Sequence, residues 1–341
     1  MHSLAISKLQ NKRMKMKVLV TGANGLLGHH VVLQLLDRGN DLKIIIRSER
    51  NIHFDLSKVE MTLGDFTNYE TLRAAAEGCD AIIHIAAVTA TDLLHYEDYS
   101  KINVGGSAQI IRVADELNIN RLVFVSTANT IGYGTKDRLS DESAPIQFPF
   151  SNSFYARSKA EAEKLFVEAS KKTGRHVVII NPTFMIGAYD TKPSSGKLML
   201  MGYNKLVMFA PNGGKNFVAA SDVATAICNA LTKGRNGERY LTSGVNLSFK
   251  EFYEIQSKVG QYKQKMIVLP DFLLEMAGKA GDLVRLFGVK TEICSMNLNQ
   301  LTVREYYKNQ KAESELEMPL KSLDKAVSEA LDWFKKNGKI R

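Results

Sequence analysis

The sequence has little cysteine, and this scarcity excludes several classes of protein. Its 341 residues contain three cysteines, and these are Cys79, Cys228 and Cys294. They lie far apart and have neither the spacing of a metal site nor that of a disulfide framework. We therefore expect no bound metal, and we expect each cysteine to be a small buried residue in a protein of the reducing cytoplasm.

Long apolar runs are also missing. No stretch has the length that a membrane-spanning helix needs, and residues 1–15 lack the apolar centre of a secretory signal peptide. We expect no integral membrane segment and interpret residues 1–15 as a flexible basic N-terminus. The net charge of +9 arises partly from lysine and arginine at both ends. Because no nucleic-acid-binding module accompanies these charges, we expect no nucleic acid partner.

Apolar β-branched runs alternate with helical patterns through residues 16–185. The runs are nearly continuous in apolar residues, as expected for strands that are covered on both faces. This alternation predicts an α/β Rossmann domain with a doubly wound parallel sheet. The predicted strands are 17–21, 41–47, 60–64, 81–86, 121–126 and 177–181, and the predicted helices are 25–38, 68–77, 96–117 and 154–172.

Residues 186–341 have a looser pattern, with pieces near 215–245 that we expect to return to the Rossmann domain. The remainder predicts a smaller, mainly helical lobe that binds substrate over the carboxyl edge of the sheet. The segment 272–286 predicts a helix packed over the substrate pocket, and peripheral membrane contact is the alternative. The predicted helices are 221–232 with Ser221 as N-cap, 248–258, 272–286, 299–307 and 320–337.

A glycine-rich turn follows the first predicted strand. Residues 21–28 read TGANGLLG and lead directly into a helical pattern. Gly22 permits a tight turn, Gly25 lets the backbone approach a pyrophosphate, and Gly28 lets the helix pack close to the strand. The helix N-terminus offers N–H groups and the positive end of its dipole to an anion. We interpret this loop as a dinucleotide site.

The end of the second predicted strand bears on the choice of cofactor. An acidic residue at this point selects NAD by accepting hydrogen bonds from the ribose 2′-hydroxyl. This chain has Arg47 there, followed by Ser48 and soon by Arg50. Arginine suits a 2′-phosphate by charge and by fork geometry, so we predict NADP in preference to NAD. A solvated Arg47, with either cofactor accepted, is the alternative.

Tyr155 and Lys159 lie four residues apart on a predicted helix, so their side chains share a face. A lysine ammonium beside a tyrosine favours the phenolate and lowers the tyrosine pKa, which suits general acid or base catalysis near neutral pH. The hydroxyl of Thr127 at a strand edge would hold the substrate oxygen. A lysine on a surface helix is the alternative, but the position of the pair after a dinucleotide loop favours catalysis.

Taken together, these motifs resemble those of the extended short-chain dehydrogenase/reductases, also called the NAD(P)-dependent epimerase/dehydratase family. The resemblance covers roughly residues 16–245 and implies a catalytic role for Tyr155, Lys159 and Thr127, with Thr127 preferred to Ser126. The matching segments are TGANGLLG at 21–28, GD at 64–65, HIAA at 84–87, Asn103 in KINVGGS, STANTIG at 126–132, YARSK at 155–159 and NPTFMIG at 181–187.

The same resemblance implies which residues line the cofactor. Asp65 and Phe66 would border the adenine, Lys159 would bind the nicotinamide ribose, and Pro182 and Thr183 would flank the nicotinamide. The backbone at Ala86 and Ala87 would line the path of the pyrophosphate and ribose. The full expected set is Gly22, Asn24, Gly25, Leu26, Leu27, Arg47, Asp65, Phe66, Ala86, Ala87, Asn103, Ser126, Tyr155, Lys159, Pro182 and Thr183. We interpret His84, inside an apolar strand, as a core residue.

Two subgroups of the family compete for the reaction. Segment 181–198 and the KAxxEL element at 311–316 resemble reductases of the dihydroflavonol-reductase and 3β-hydroxysteroid-dehydrogenase type. Dehydratases generally place acidic residues after the strand-end threonine, whereas Ala128 and Asn129 follow it here. The Met-rich segment 198–209 predicts an apolar substrate lining, with core packing as the alternative.

We therefore expect an NAD(P)-dependent reductase of a ketone on a small, apolar substrate, or a dehydrogenase of the alcohol. A nucleotide-sugar epimerase with tightly bound NAD(P) is the second candidate. A catalytically silent NADP-sensing regulator or assembly partner belongs to another class, and the presence of Tyr155 and Lys159 disfavours it. The resemblance also favours a homodimer through the helices 96–117 and 154–172.

Overall fold

The computed structural model describes residues 15–341, so the predicted basic N-terminus lies outside the described residues except for Lys15. The strands are β1 (Lys17–Thr21), β2 (Asp41–Ile46), β3 (Glu60–Leu63), β4 (Ala81–His84), β5 (Arg121–Val125), β6 (His176–Pro182), β7 (Phe184–Ile186), β8 (Val207–Pro211), β9 (Gly214–Ala219), β10 (Glu238–Thr242), β11 (Val245–Ser248) and β12 (Lys265–Leu269). The helices are α1 (Leu26–Asp37), α2 (Tyr69–Ala76), α3 (Tyr96–Asn103), α4 (Gly105–Glu116), α5 (Phe154–Thr173), α6 (Gly196–Gly202), α7 (Ala220–Ala230), α8 (Phe249–Val259), α9 (Asp271–Leu286), α10 (Ser295–Leu298), α11 (Gln310–Leu316) and α12 (Leu323–Lys336).

Seven strands form one parallel sheet in the order β10-β6-β5-β4-β1-β2-β3. The predicted Rossmann fold with a doubly wound parallel sheet is confirmed. The chain runs outward from β1 in one direction and from β4 in the other. A crevice therefore opens at the carboxyl ends of β1 and β4, which is where ligands bind in folds of this kind.

The central strands bury both of their faces, because successive side chains point to opposite sides of a sheet. Val18 and Val20 of β1 pack with Val31 of α1 on one side. Leu19 points to the other side, into the core that contains Phe166 of α5. This two-sided burial explains the nearly continuous apolar runs that identified the strands.

One predicted helix, 96–117, is wrong as a single element, because the chain divides at Val104 into α3 and α4. Gly105 and Gly106 follow the break, and glycine lowers the stability of a helix interior. Close packing also favours glycine at position 106, since a Cβ there would lie 2.5 Å from Cε2 of Phe66.

The C-terminal region contains two small sheets that the sequence did not reveal. One has the order β11-β9-β7, and the other is the parallel ribbon β12-β8. They pack with α8 and α12 around a third core that includes Phe217, Phe252 and Phe334. Two elements of the segment 215–245 return to the Rossmann domain. Strand β10 joins the central sheet beside β6, and α7 contacts α1 through a hydrogen bond of 2.7 Å from Gln34 Nε2 to the Ser221 carbonyl.

Two further predictions for this region are wrong. Helix α7 begins at Ala220 after Ala219 as N-cap, so Ser221 lies inside the first turn. The predicted helix 299–307 is a single 3₁₀ turn, Asn299–Leu301. Tyr306 and Tyr307 are instead buried, and their backbone forms bridges to the loop that follows β5. Within residues 15–341, no helix has the length and apolar character to cross a membrane.

The turn between β1 and α1 yields a prediction about stability. A Cβ at Gly28 would overlap the carbonyl oxygen of Gly22, so Gly28→Ala forces the helix away from the strand. We expect the free energy of unfolding to fall by about 1–3 kcal/mol in urea denaturation. Gly105→Ala is the matched control, because a Cβ there would meet only an ordinary contact, with the Ser100 carbonyl oxygen at 3.9 Å, and φ is not positive. Equal stability of Gly28→Ala and the wild type would contradict the close packing.

Candidate active site

The glycine loop has the geometry of an anion site. Gly22 has a φ of +76°, and a Cβ there would lie 2.7 Å from the Ala86 backbone nitrogen. Gly25 is exposed, and the nearest atom to a Cβ built on it is the Gly22 carbonyl oxygen at 3.5 Å. Gly25 is also the N-cap of α1, and no side chain of the described residues caps that helix. The space above Gly25 and the uncapped N–H groups therefore fit a pyrophosphate.

The other predicted residues of this loop lie around the same helix N-terminus. Asn24 is half-buried immediately before Gly25, while Leu26 and Leu27 open α1 with buried side chains. Their backbone N–H groups, rather than their side chains, face the carboxyl edge of the sheet where a phosphate would lie.

The loop after β4 is fixed against β1. Thr21 Oγ1 accepts hydrogen bonds of 3.2 Å from the backbone N–H groups of both Ile85 and Ala86, and it bonds to His84 Nδ1 at 2.8 Å. His84 is buried as expected of a core residue, and burial lowers its pKa to about 3, so the ring is neutral. The backbone at Ala86 and Ala87 consequently lies beside Gly22, at the crevice of the sheet.

Asn103 supports this loop from the opposite side. Its Oδ1 accepts from the Val88 N–H at 2.8 Å, and its Nδ2 donates to the Val88 carbonyl at 3.1 Å and to Ser158 Oγ at 2.9 Å. Both amide protons of Asn103 are therefore used within the protein. Asn103 thus joins the β4 loop to α5, whereas we expected Asn103 to contact the cofactor directly.

Two predicted residues lie at the edge of the sheet formed by β2 and β3. Arg47 directly follows β2 and is exposed. Asp65 comes two residues after β3, and its carboxylate accepts hydrogen bonds of 2.9 Å and 2.8 Å from the N–H and hydroxyl of Thr67. The ring of Phe66 packs against His84 with 5.2 Å between the ring centroids. This arrangement gives the far end of the crevice a basic side chain and an aromatic wall.

The predicted catalytic residues meet at the end of β5. Thr127 lies two residues after the strand and is buried, and its hydroxyl is close enough to the Tyr155 phenol on α5 to act on the pKa of that phenol. Lys159, one helical turn further, is fully buried and donates from Nζ to the Val125 carbonyl at 2.8 Å. Ser126 is buried as well, and among the described residues its Oγ has no hydrogen-bond partner. The preference for Thr127 over Ser126 therefore agrees with the contact to Tyr155.

The electrostatics of this pair differ from the expectation. Burial raises the pKa of Tyr155 to about 12, and the neighbouring Thr127 hydroxyl opposes this rise. The expected lowering of the Tyr155 pKa by Lys159 is wrong for this structure, because Lys159 Nζ is bound to the Val125 carbonyl on the strand. Burial lowers the pKa of Lys159 to about 7, and the negative charge of Glu163 acts in the opposite direction.

A buried polar cluster behind Lys159 was not predicted. Glu163 Oε1 accepts hydrogen bonds of 2.7 Å from both Thr130 Oγ1 and Asn181 Nδ2. Asn181 also donates to the Thr127 carbonyl at 3.1 Å. The sequence did contain a signal for Glu163, because Tyr155, Lys159 and Glu163 recur at intervals of four on one helix.

Pro182 and Thr183 lie at the same edge of the sheet as Ser126. Pro182 ends β6, and the neighbouring Ile180 carbonyl accepts from the Ser126 N–H at 2.7 Å. Thr183 Oγ1 donates to Asn216 Oδ1 at 2.7 Å, which connects this edge to β9. Both residues thus have the strand-end location that we expected.

A cavity of about 120 Å³ adjoins Tyr155. Its other walls come from the loop after β4 and from the region around α9 and α10. The lining comprises Thr89, Ala90, Thr91, Leu93, Tyr99, Asn129, Ser153, Phe154, Tyr155, Arg285, Met296, Asn297 and Gln300. The predicted lining 198–209 is not part of it, because Met199 and Met208 pack in the third core. Core packing, the alternative for that segment, holds for Met199 and Met208, whereas Met201, Leu206, Val207 and Phe209 are exposed.

Comparison with known proteins places these features in context. The family model of the NAD dependent epimerase/dehydratase family matches residues 18–242. Sterol demethylase protein B of Methylococcus capsulatus is 27% identical over 336 residues, which cover 95% of this chain and 100% of that protein. A 4-hydroxy-2-methyl-3-oxo-4-farnesyl-3,4-dihydroquinoline-1-oxide ketoreductase of Stigmatella aurantiaca is 28% identical over 274 residues, which cover 78% of this chain and 80% of that protein.

A solved structure has a closely similar fold. The crystal structure of gox2253 superimposes with a TM-score of 0.82 and 25% identity, covering 96% of this chain and 100% of that chain. Names among further relatives include dihydroflavonol reductase, 3-beta-hydroxysteroid dehydrogenase and dTDP-D-glucose 4,6-dehydratase. The predicted likeness to reductases of the first two types is confirmed, and the dehydratases show that the resemblance extends to both subgroups.

Burial of Lys159 yields a prediction about pH. The lysine pKa is about 7 in the folded chain against 10.5 ordinarily, so the unfolded chain binds more protons between these values. The contribution of Lys159 to the free energy of unfolding therefore rises with pH across this window. In urea denaturation at a series of pH values, we expect Lys159→Met to have a smaller upward slope than the wild type.

Lys164→Met is the matched control, because Lys164 is exposed on the same helix. It should leave the slope unchanged. An identical pH dependence for Lys159→Met and the wild type would contradict the shifted pKa.

Proposed function

Because the chain belongs to the NAD dependent epimerase/dehydratase family, we propose that it is an NADP(H)-dependent oxidoreductase. It reduces a ketone on a small, apolar substrate, or oxidises the corresponding alcohol. The observation that carries the proposal is the contact of Thr127 with Tyr155 at the wall of a cavity, with Lys159 buried one helical turn away. A binding module without catalysis has no need of this acid–base arrangement.

Tyr155 acts as the general acid in the reducing direction. A nicotinamide cofactor, when bound, would supply the hydride, and the chain would supply the proton. With a pKa of about 12 in the structure, the phenol of Tyr155 carries its proton at neutral pH and can donate it to the substrate oxygen. Thr127 orients the phenol and the substrate oxygen. Lys159, held on the Val125 carbonyl one helical turn away, contributes by binding the nicotinamide ribose.

The crevice of the sheet would hold the cofactor, with the following residue roles. Gly22 and Gly25, with the N–H groups of Leu26 and Leu27 and the flanking Asn24, hold the pyrophosphate. Ala86 and Ala87 line its path by their backbone, and Asn103 acts indirectly by supporting this loop. Asp65 and Phe66 border the adenine, Arg47 binds the 2′-phosphate, and Ser126, Lys159, Pro182 and Thr183 surround the nicotinamide riboside.

The cavity favours a reductase over a dehydratase. Among the described residues, no aspartate or glutamate lines it, and Asn129 occupies the position after Ala128 where an acid for elimination is expected. Its wall from Arg285 to Gln300 supports residues 186–341 as the substrate lobe and 16–185 as the cofactor domain. A homodimer through α3, α4 and α5 remains a part of this proposal.

Removal of one hydroxyl tests the catalytic role. We expect Tyr155→Phe to reduce NADPH oxidation with apolar ketones by a factor of about 10² to 10⁴, because the proton donor is lost. NADPH binding, followed by fluorescence titration, should be nearly unchanged. Tyr96→Phe is the matched control, since its hydroxyl bonds to Glu161 at the surface.

Full activity of Tyr155→Phe would exclude the assigned mechanism. A panel that pairs ketones with nucleotide sugars separates the candidate reactions. Isomerisation of a nucleotide sugar without net consumption of NADPH would favour the epimerase instead.

Replacement of Arg47 tests the choice of cofactor. Arg47→Asp removes the guanidinium and places a like charge beside the 2′-phosphate, so we expect NADPH to bind at least about tenfold more weakly. NADH binding should be retained or improved. Arg138→Asp, at another exposed arginine, should alter neither affinity. Unchanged discrimination between the two cofactors in Arg47→Asp would contradict the NADP prediction.

A further inference from the structure

Helix α9 packs with its small residues inward and its large apolar residues outward. Gly278 and Gly281 are its buried positions, and a Cβ on Gly278 would lie 2.9 Å from Cα of Ser295. At about 100° per residue, Phe272, Met276 and Leu283 fall on the side opposite Gly278. These three side chains are 56%, 64% and 58% exposed. The helix does pack over the pocket, through Arg285, but these large apolar side chains point away from it.

The exposed apolar surface extends beyond these three residues. We define the α9 face as Phe272, Leu273, Met276, Leu283, Val284 and Phe287, all of which are exposed. Contiguous exposed apolar patches on a folded chain mark sites of interaction. The ribbon β12-β8, which leads into α9 through Pro270, adds exposed Phe209 and Ile267, which are paired across the two strands.

The charges around the α9 face are mainly positive. Between residues 258 and 290 the sequence has six basic and three acidic residues. Asp282 turns towards the packed side and accepts from the Ser295 N–H at 3.0 Å. Arg285 also turns inward and donates to the Leu93 carbonyl at 2.6 Å. Lys279 lies beside Met276 and Leu283 on the outer side and is exposed, as is Glu275 one turn before it. The positive balance comes from Lys263, Lys265 and Lys290, which are exposed on either side of the helix in the chain.

The apolar side chains and the positive charges together distinguish between two possible binding partners of the α9 face. A second copy of the chain in a two-fold interface would bring the same basic surface against itself, which like charges oppose. An anionic lipid surface complements both properties, because bulky apolar side chains enter the headgroup boundary and lysines pair with the phosphates. We propose that the α9 face binds the surface of an anionic lipid bilayer, with α9 lying in the plane of the interface.

The proposed face adjoins the candidate active site without forming part of it. Arg285, on the inner side of α9, lines the cavity beside Tyr155. The bound surface would therefore lie against the outer side of the helix that walls the cavity. The proposal does not depend on the reaction, because membrane binding is measured without substrate or cofactor.

Vesicle flotation tests the proposal with the full chain. We expect the protein to float with vesicles of phosphatidylcholine and phosphatidylglycerol, and to float several-fold less with phosphatidylcholine alone or at high salt. The double variant Met276→Glu/Leu283→Glu should lose at least tenfold of the bound fraction. Lys279→Glu, which leaves the apolar residues intact, should weaken binding to the anionic vesicles selectively.

Leu320→Glu is the matched control, because Leu320 is an exposed leucine outside α9, and it should float like the wild type. Circular dichroism verifies that each variant is folded, and Lys279→Glu remains informative if the double variant is not. A wild type that stays unbound with both vesicle compositions would overturn the proposal. So would a concentration-dependent dimer in sedimentation that the double variant abolishes, since this would assign the face to a second copy.

Discussion

One buried hydroxyl holds together the two strands on which the rest of the site depends. Thr21 at the end of β1 accepts from the backbone of Ile85 and Ala86 and bonds to His84 at the end of β4. This contact brings the β4 loop so close to Gly22 that a Cβ there would clash. The glycine turn, the N-terminus of α1 and the start of the β4 loop therefore form one rigid edge. Every other group of the candidate site is positioned relative to that edge.

The candidate site also depends on a buried lysine one helical turn from the Tyr155 phenol. A lysine in an apolar interior loses its hydration, and for this reason its pKa falls. Glu163, Thr130 and Asn181 form the polar cluster that makes burial of Lys159 tolerable, since the carboxylate opposes the effect of desolvation. The same cluster holds the backbone at Thr127 through Asn181. One set of contacts thus sets both the charge of the lysine and the location of the hydroxyl beside Tyr155.

The sequence predicts the central sheet well because its signal is local. A run such as Ala81–His84 is apolar at every position, and a parallel strand that is covered on both faces requires this. The turn glycines and the four-residue spacing from Tyr155 to Lys159 are equally local. The small sheets of the lobe pair strands far apart in the chain, such as β8 with β12, and the cavity likewise combines loops far apart in the chain. The apolar pattern of α9 predicts a helix packed over the pocket, but it does not show which of the apolar side chains point outward.

Asn103 has a consequence for the energetics of ligand binding. By holding the Val88 backbone and Ser158 at the same time, it joins the loop beside the cofactor crevice to the helix that carries Tyr155. The two halves of the site are consequently ordered during folding rather than on encounter with ligands. The entropy cost of ordering the two halves is therefore part of folding and not of ligand binding, so more of the contact energy contributes to affinity.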